Sequence, residues 1–417
     1  MTSSLAEPAP DRPRVRGPLL RLLFSILGAN LGVFFLWGAI PGILLPLQIQ
    51  AFGEGQKAQN LALVLAVGAV VALIAQPLAG MVSDRTRSRF GRRSPWMIIG
   101  ALVGGMGLIG IASASTLVQI VISWCVVQLA YNFSQGPLSA VMPDRVPGPV
   151  RGLFSAFTGL GVMAGMAGGQ VIASGFADSV PAGYLFFAGV ALVVLVAFVL
   201  LNPDRDNRGE PREPFDAKTF FHTFWVNPVK HPDFFWGFSG RMLLNVGTNL
   251  VVGYQLYILQ DYIGLGGEAI RLVPLLAVIN LVATTLAVLI SGPLSDRLGR
   301  RRIFVVIAGI GMAVGFSVPW IAPSITGVLI YAALGGFFSG VFQAVDTALM
   351  SEVLPSTTSF AKDLGVLNIA ATLPQTFGPA LAGFIVVFFG GYVMLFPIAI
   401  VLVVLGAIAV IPIRSVR

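Results

Sequence analysis

The 417-residue sequence has one cysteine, Cys125, and two histidines, His222 and His231. Cys125 lies inside an apolar run, so an intrachain disulfide, a cysteine metal cluster and a redox pair are all excluded. Both histidines fall in one hydrophilic stretch, so no apolar segment offers an imidazole for metal binding or proton transfer. Charge is scarce as well. Asp, Glu, Lys and Arg make up 11% of the residues, against about 25% in ordinary soluble domains, which excludes a soluble globular enzyme. Disorder is excluded by the opposite excess, since hydrophobic residues make up 56% and mean hydropathy is +0.87, whereas disorder requires low hydrophobicity. The formal net charge of +8 invites a nucleic-acid reading. The basic residues fall between apolar runs, however, and a membrane accounts for that distribution better.

A membrane-crossing helix needs about 20 apolar residues. The sequence offers twelve such runs, at 19–47, 58–82, 95–115, 117–142, 152–176, 182–201, 234–262, 270–294, 303–322, 325–352, 364–389 and 392–413. The predicted fold class is all-α integral membrane with twelve transmembrane helices. Residues 1–18, MTSSLAEPAPDRPRVRGP, are polar and proline-rich and read as a disordered cytoplasmic tail. The run after them is too long for a signal peptide, and no small-residue cleavage site follows it. The expected bundles are 19–201 and 234–413, joined by a cytoplasmic loop at 202–233. The placement of Lys and Arg tests this assignment. Arg85, Arg87, Arg89, Arg92 and Arg93 follow span 2, and Arg297, Arg300, Arg301 and Arg302 follow span 8. Of the remaining cations, only Lys57 and Arg271 fall on the opposite face, and Arg241 lies within span 7. The excess of positive charge on one face puts both termini in the cytoplasm.

The sequence repeats itself about half its length apart. GMVSDRTRSRFGRR (80–93) after span 2 matches GPLSDRLGRR (292–301) after span 8, and MPDRVP (142–147) matches MSEVLP (350–355). Two six-helix halves related by a pseudo-two-fold follow. A finer period is also present. Spans 3, 6, 9 and 12 carry almost no strongly polar side chains and should face lipid. Spans 1, 4, 7 and 10 carry polar residues at helical spacing: Asn30 and Trp37; Tyr131, Asn132 and Gln135; Arg241, Asn245 and Asn249; Gln343, Asp346 and Thr347. Residues three, four and seven apart share a helix face. Polar stripes within lipid are costly unless they face protein or a watery cavity. One reading is a central cavity between the halves; the other is hydrogen-bond glue between helices. Gly161, Gly165 and Gly169 on span 5, and Gly336 and Gly340 on span 10, form small-residue ridges suited to close helix contact.

The loop residues resemble the major facilitator superfamily of secondary transporters. Gly80, Asp84, Arg85, Gly91, Arg92 and Arg93 match its G-x-x-x-D-R-x-x-G-R-R motif. Gly292, Asp296, Arg297, Gly299, Arg300 and Arg301 match its degenerate echo. The elongated SDRTRSRFGRRSPW form and AKDLGVLNIAATLPQ (361–375) look like the glycoside–cation symporter and sucrose-type branch. The resemblance implies the fold of that superfamily and a gating role for the motif, in which Asp84 and the arginines latch the cytoplasmic side in the outward-open state. A purely topological role for the arginines is the alternative. Drug–proton antiporters carry Arg-x-x-Gln-Gly on span 4, where this chain has Asn132-Phe-Ser-Gln135-Gly136. They also carry a glycine–proline signature on span 5, where Met166 takes the proline position. Spans 1, 2 and 4 lack the acids by which sodium-coupled melibiose-type and plant sucrose carriers are marked.

Arg241 lies seven residues past Phe234, ~10 Å inside the membrane, and Asp346 lies six residues before Glu352, about 9 Å from the same face. An unpaired charge at such depth costs at least ~2.5 kcal/mol, so the two are expected to pair, either as a coupling site or as a static bridge. The expected function is secondary transport of a small polar solute, a sugar or glycoside, across the plasma membrane by alternating access. The alternative is a proton-linked exporter of drugs or amphipathic metabolites. A membrane enzyme is disfavoured because no histidine lies in any span. No cofactor or metal is expected beyond a coupling proton. The expected partners are the solute and the bilayer, without nucleic acid, and the chain is expected to act as a monomer. The preponderance of arginine over lysine suggests a GC-rich bacterial source.

Overall fold

The computed structural model describes residues 15–209, 230–353 and 360–413. The N-terminal tail up to residue 14, the loop stretch 210–229 with His222, and the side chains of Thr347, Ser351, Glu352, 360–372 and Thr376 lie outside the described residues. Among the described residues twelve long helices follow in order: α1 (Pro18–Ala39, continued through Ile40–Leu44 into Leu45–Ala51), α2 (Lys57–Arg85), α3 (Ser94–Ala112), α4 (Leu117–Arg145), α5 (Arg151–Ser174) and α6 (Val180–Leu201). The second set is α7 (Pro232–Val252, continued as Gln255–Tyr262), α8 (Ala269–Leu298), α9 (Arg301–Ile321), α10 (Ile325–Glu352), α11 (Phe360–Phe388) and α12 (Leu395–Val410). No strand occurs among the described residues. By length and composition ten of these helices can cross a membrane, and α7 makes an eleventh when its two bent segments count as one span. The apolar part of α11 is Leu373–Phe388.

Local chemistry sets the helix ends. Thr116 and Gln119 form a reciprocal capping box at the start of α4, which satisfies two orphan backbone donors at once. The Ser324 hydroxyl accepts from Gly327 N–H at the start of α10. Gly299 ends α8 in the left-handed region at φ 59°, a conformation that costs glycine nothing. Two spans are irregular. In α1, Ile40–Leu44 forms a wider π-turn around Pro41, whose ring and missing N–H disrupt the regular ladder. In α7 the axis bends by 49° at Gly253–Tyr254, where the sequence alone predicts one uninterrupted span.

Helix packing repeats with the sequence. In the first half α1 packs on α5 and α6, α3 on α4 and α6, and α2 on α4. Each pairing recurs six helices later, as α7 on α11 and α12, α9 on α10 and α12, and α8 on α10. The halves meet where α2 packs on α11 and α5 on α8. A two-fold exchanging the halves converts one of these contacts into the other. Helices α3, α6, α9 and α12 have their main partners within their own half, as expected of the outermost, least polar spans. The glycine ridges do what their spacing predicts. A Cβ on Gly161 or Gly165 would press on the Leu27 or Leu31 carbonyl of α1 at 2.7 and 2.6 Å. Gly340 meets the Thr284 carbonyl of α8 at 2.5 Å in the same way.

Candidate functional site

At the arginine-rich face, the turn between α2 and α3 is held by a charge network. Arg93 is buried at the entry to α3 and spreads its guanidinium over three partners: Asp84 at 2.6 Å, Asp144 at the end of α4 at 3.1 Å, and Ser83 Oγ at 3.1 Å. Arg92 reaches Asp144 at 2.9 Å. Residues just past α6 close the network. Asp204 accepts from the Arg93 backbone N–H at 3.1 Å and from Arg145 Nη2 at 2.7 Å. Asn207 accepts from Ser88 N–H and donates to the Thr86 carbonyl, both at 2.9 Å. Gly91 has φ 79°, and any Cβ there would overlap the Asp204 carboxyl, so glycine is required twice over. Partial burial raises the Asp204 carboxyl, but the Arg93 N–H and the Arg145 hydrogen bond and charge outweigh it and hold it below its ordinary value.

Asp84, Arg92, Arg93 and Gly91 thus meet in one network, and Arg85 ends α2 beside it. A Cβ placed on Gly80 would meet no described atom of another helix within 4 Å. Asp144, Arg145, Asp204 and Asn207 were not singled out by motif. The repeated MPDR and MSEV segments point towards Asp144, and N-P-D-R-D-N reads as a turn, yet neither reveals the partner. The second loop is looser. Asp296 meets Arg301 at 3.4 Å, while Arg297, Gly299 and Arg300 are exposed.

Within the spans, the asparagine stripes behave alike. Asn30, Asn132, Asn245 and Asn249 each donate to the carbonyl four residues back in the same helix, at 2.8, 2.7, 2.8 and 2.8 Å. Gln343 bonds Ser339 of its own helix at 3.3 Å. Among the described residues none of these amides bonds a neighbouring helix. Asn30, Gln135, Asn245 and Asn249 are half-buried and Gln343 is exposed, while Tyr131 and Asn132 are buried in this conformation. Trp37 joins α1 to α4, edge-on to Trp124 at 6.1 Å and to Tyr131 at 6.4 Å. The Nε1 of both tryptophans and the Tyr131 Oη are buried donors with no acceptor among the described residues.

Arg241 of α7 and Asp346 of α10 pair at 3.2 Å. The Arg241 Nε–H is not aimed at the carboxylate and has no hydrogen-bond acceptor among the described residues. The contact is a Coulombic pair, without the added strength of an aligned hydrogen bond.

The opposite face, called the far face below, is where described residues of the two halves bond each other. Lys57 of α2 meets Asp261 of α7 at 2.8 Å. Tyr254 and Tyr257 of α7 donate to the carbonyls of Ala58 and Pro46 at 3.1 and 2.8 Å. Gly383 of α11 packs so closely on Ala62 that a side chain there would overlap it. The halves are closed on each other at this face.

A sequence model described as MFS/sugar transport protein matches residues 51–392. The chain belongs to that family. Family resemblance extends to individual members. The sucrose transport protein SUC4 of Arabidopsis thaliana is 26% identical over 191 residues, 40% of this chain and 37% of that one. The general alpha-glucoside permease of Schizosaccharomyces pombe is 31% identical over 107 residues, 26% of this chain and 18% of that one. The chain therefore spans well under half the length of these curated relatives. Among solved structures, the D-xylose-proton symporter superposes with TM-score 0.68 at 18% identity, covering 96% of this chain and 98% of that one. The nucleoside transporter NupG superposes with TM-score 0.70 at 15% identity, covering 95% and 100%. At these identities the superpositions establish the twelve-helix fold of the major facilitator superfamily. This member of the family is a multi-pass membrane protein.

Proposed function

We propose that the chain is a secondary transporter that moves a sugar or glycoside by alternating access, with Asp346 carrying a coupling proton. The observation that carries the reading is the set of amides on α1, α4, α7 and α10. Asn30, Asn245, Asn249 and Gln343 each give one N–H to their own helix and keep a carbonyl oxygen and a second N–H that a solute can use. In lipid such groups are costly; facing a solute rich in hydroxyls, they are paired. The buried donors of Trp37, Trp124 and Tyr131 suit acceptor oxygens, and indole faces suit the apolar face of a sugar ring. Closure at the far face supports a state in which the solute exchanges at the arginine-rich side. The positive-charge bias supports a plasma-membrane protein whose arginine-rich face and both termini are cytoplasmic.

Purified protein in liposomes containing a pH dye tests this directly. A panel of mono- and disaccharides should include at least one that drives proton entry, and Asp346→Asn should abolish the proton signal. Proton flux driven by amphipathic drugs, with no response to any sugar, would replace the sugar reading with the exporter alternative. Solute flux without proton movement would leave Asp346 as a structural partner of Arg241.

A further inference from the structure

Lys57 stands between two carboxylates that belong to different halves. Its ammonium lies 2.8 Å from Asp261 on α7 and 4.0 Å from Glu54, which precedes it in its own half. The Lys57 side chain is 7% exposed, that of Asp261 35% and that of Glu54 76%. Gln50 donates to Glu54 Oε1 at 3.1 Å and holds that carboxylate beside the lysine. On the other side the Tyr257 ring lies 5.2 Å from the ammonium. Tyr392, between α11 and α12, also faces the Asp261 carboxylate, so the groups on the Asp261 side belong to the second half, while Glu54 and Gln50 belong to the first.

We infer that Lys57 exchanges carboxylates as the far face opens. Asp261 holds it while the halves touch there, and Glu54 holds it once they part. This rests on the alternating-access reading. Parting the halves takes the 2.8 Å partner away from an ammonium that is buried here, and Glu54 is the carboxylate that stays beside it on the lysine's own side. Glu54 is already within Coulombic reach, and the flexible lysine stem can close the remaining gap. The two acids then have opposite effects. Asp261 favours the closed far face, and Glu54 favours the open one. A static bridge between Lys57 and Asp261 predicts no such opposition.

The test is a spin–spin distance measurement on the full chain in lipid nanodiscs. Labels go on Val118→Cys and Thr326→Cys, exposed far-face positions on opposite halves, in a Cys125→Ser background. The wild type should give a short and a long distance population. Asp261→Asn should raise the ratio of long to short roughly fivefold, and Glu54→Gln should lower it by a similar factor, the size expected of a partly exposed charge pair. Asp261→Glu keeps the charge and should leave the ratio unchanged, which separates this effect from misfolding. In a Lys57→Met background, Glu54→Gln should have no effect. The exchange is overturned if Glu54→Gln raises the long population or leaves it unchanged, or if its effect survives Lys57→Met. One unvarying distance in every variant, with and without a sugar gradient, would overturn alternating access and the exchange with it.

Discussion

Arg241 and Asp346 meet because counting from the helix ends puts them at equal depth on antiparallel spans, and the structure brings them to 3.2 Å. Removing either partner strands the other inside the protein at a cost of about 3 kcal/mol or more. Arg241→Gln and Asp346→Asn should therefore each lower the thermal stability of purified protein more than the double variant does, a non-additivity that a double-mutant cycle measures directly. Purely additive losses would mean that the two charges are solvated independently. This pair was legible in the sequence because both charges lie on long regular helices. Asp204 was not, because its bond to Arg93 spans 111 positions and depends on where the chain turns after α6. Asp204 carries its own prediction. Its folded carboxyl is held below the ordinary value, so its anchoring stabilises the fold at neutral pH and is lost as the pH falls below about 4. The difference in melting temperature between wild type and Asp204→Asn should be largest near neutrality and should shrink on acidification.

At the level of elements, glycine separates contacts that matter from those that do not. Gly165 lies where a Cβ would meet the Leu31 carbonyl at 2.6 Å, whereas one on Gly159 in the same helix meets nothing within 4 Å. Gly165→Val should cost about 1–3 kcal/mol by forcing α5 away from α1, and Gly159→Val should cost far less. Equal losses in detergent melts would show that helix propensity decides instead of packing. The ridge was visible in the sequence because its four-residue spacing is a helical period. The α7 bend was not. A continuous apolar run gives the length of a span without its direction, and neither Gly253 nor its neighbours include a proline. The bend is marked instead by contact, since a Cβ on Gly253 would meet Pro379 of α11 at 2.8 Å.

For the whole molecule, the two-fold was readable in the repeated loops, and the five helix pairings that recur between the halves follow it. The conformation was not readable, because one sequence has to fold into every state of its cycle. The far face is shut here by close backbone approach as well as by charge. Gly383→Val would overlap Ala62 and press on the Tyr254 hydroxyl at 2.5 Å, so it should disfavour this state. A cysteine at Asn245, in a Cys125→Ser background, should then react faster with an impermeant maleimide added from the far face. Unchanged labelling would mean that α2 and α11 can yield without parting the halves.

The Asp204 and Asn207 clasp also bears on how the protein is made. The turn between α2 and α3 leaves the ribosome long before its partners, which lie 111 to 121 positions downstream. Through the insertion of four more helices Arg93 lacks its aspartate tie from beyond α6. The first half is thus finished by the few polar residues that follow its last helix, and any pause in synthesis just short of them leaves the turn loose. Ribosome-bound chains in which α6 has entered the membrane but Asn207 has not yet emerged should be cut by protease within residues 85–93. Chains a dozen residues longer should resist.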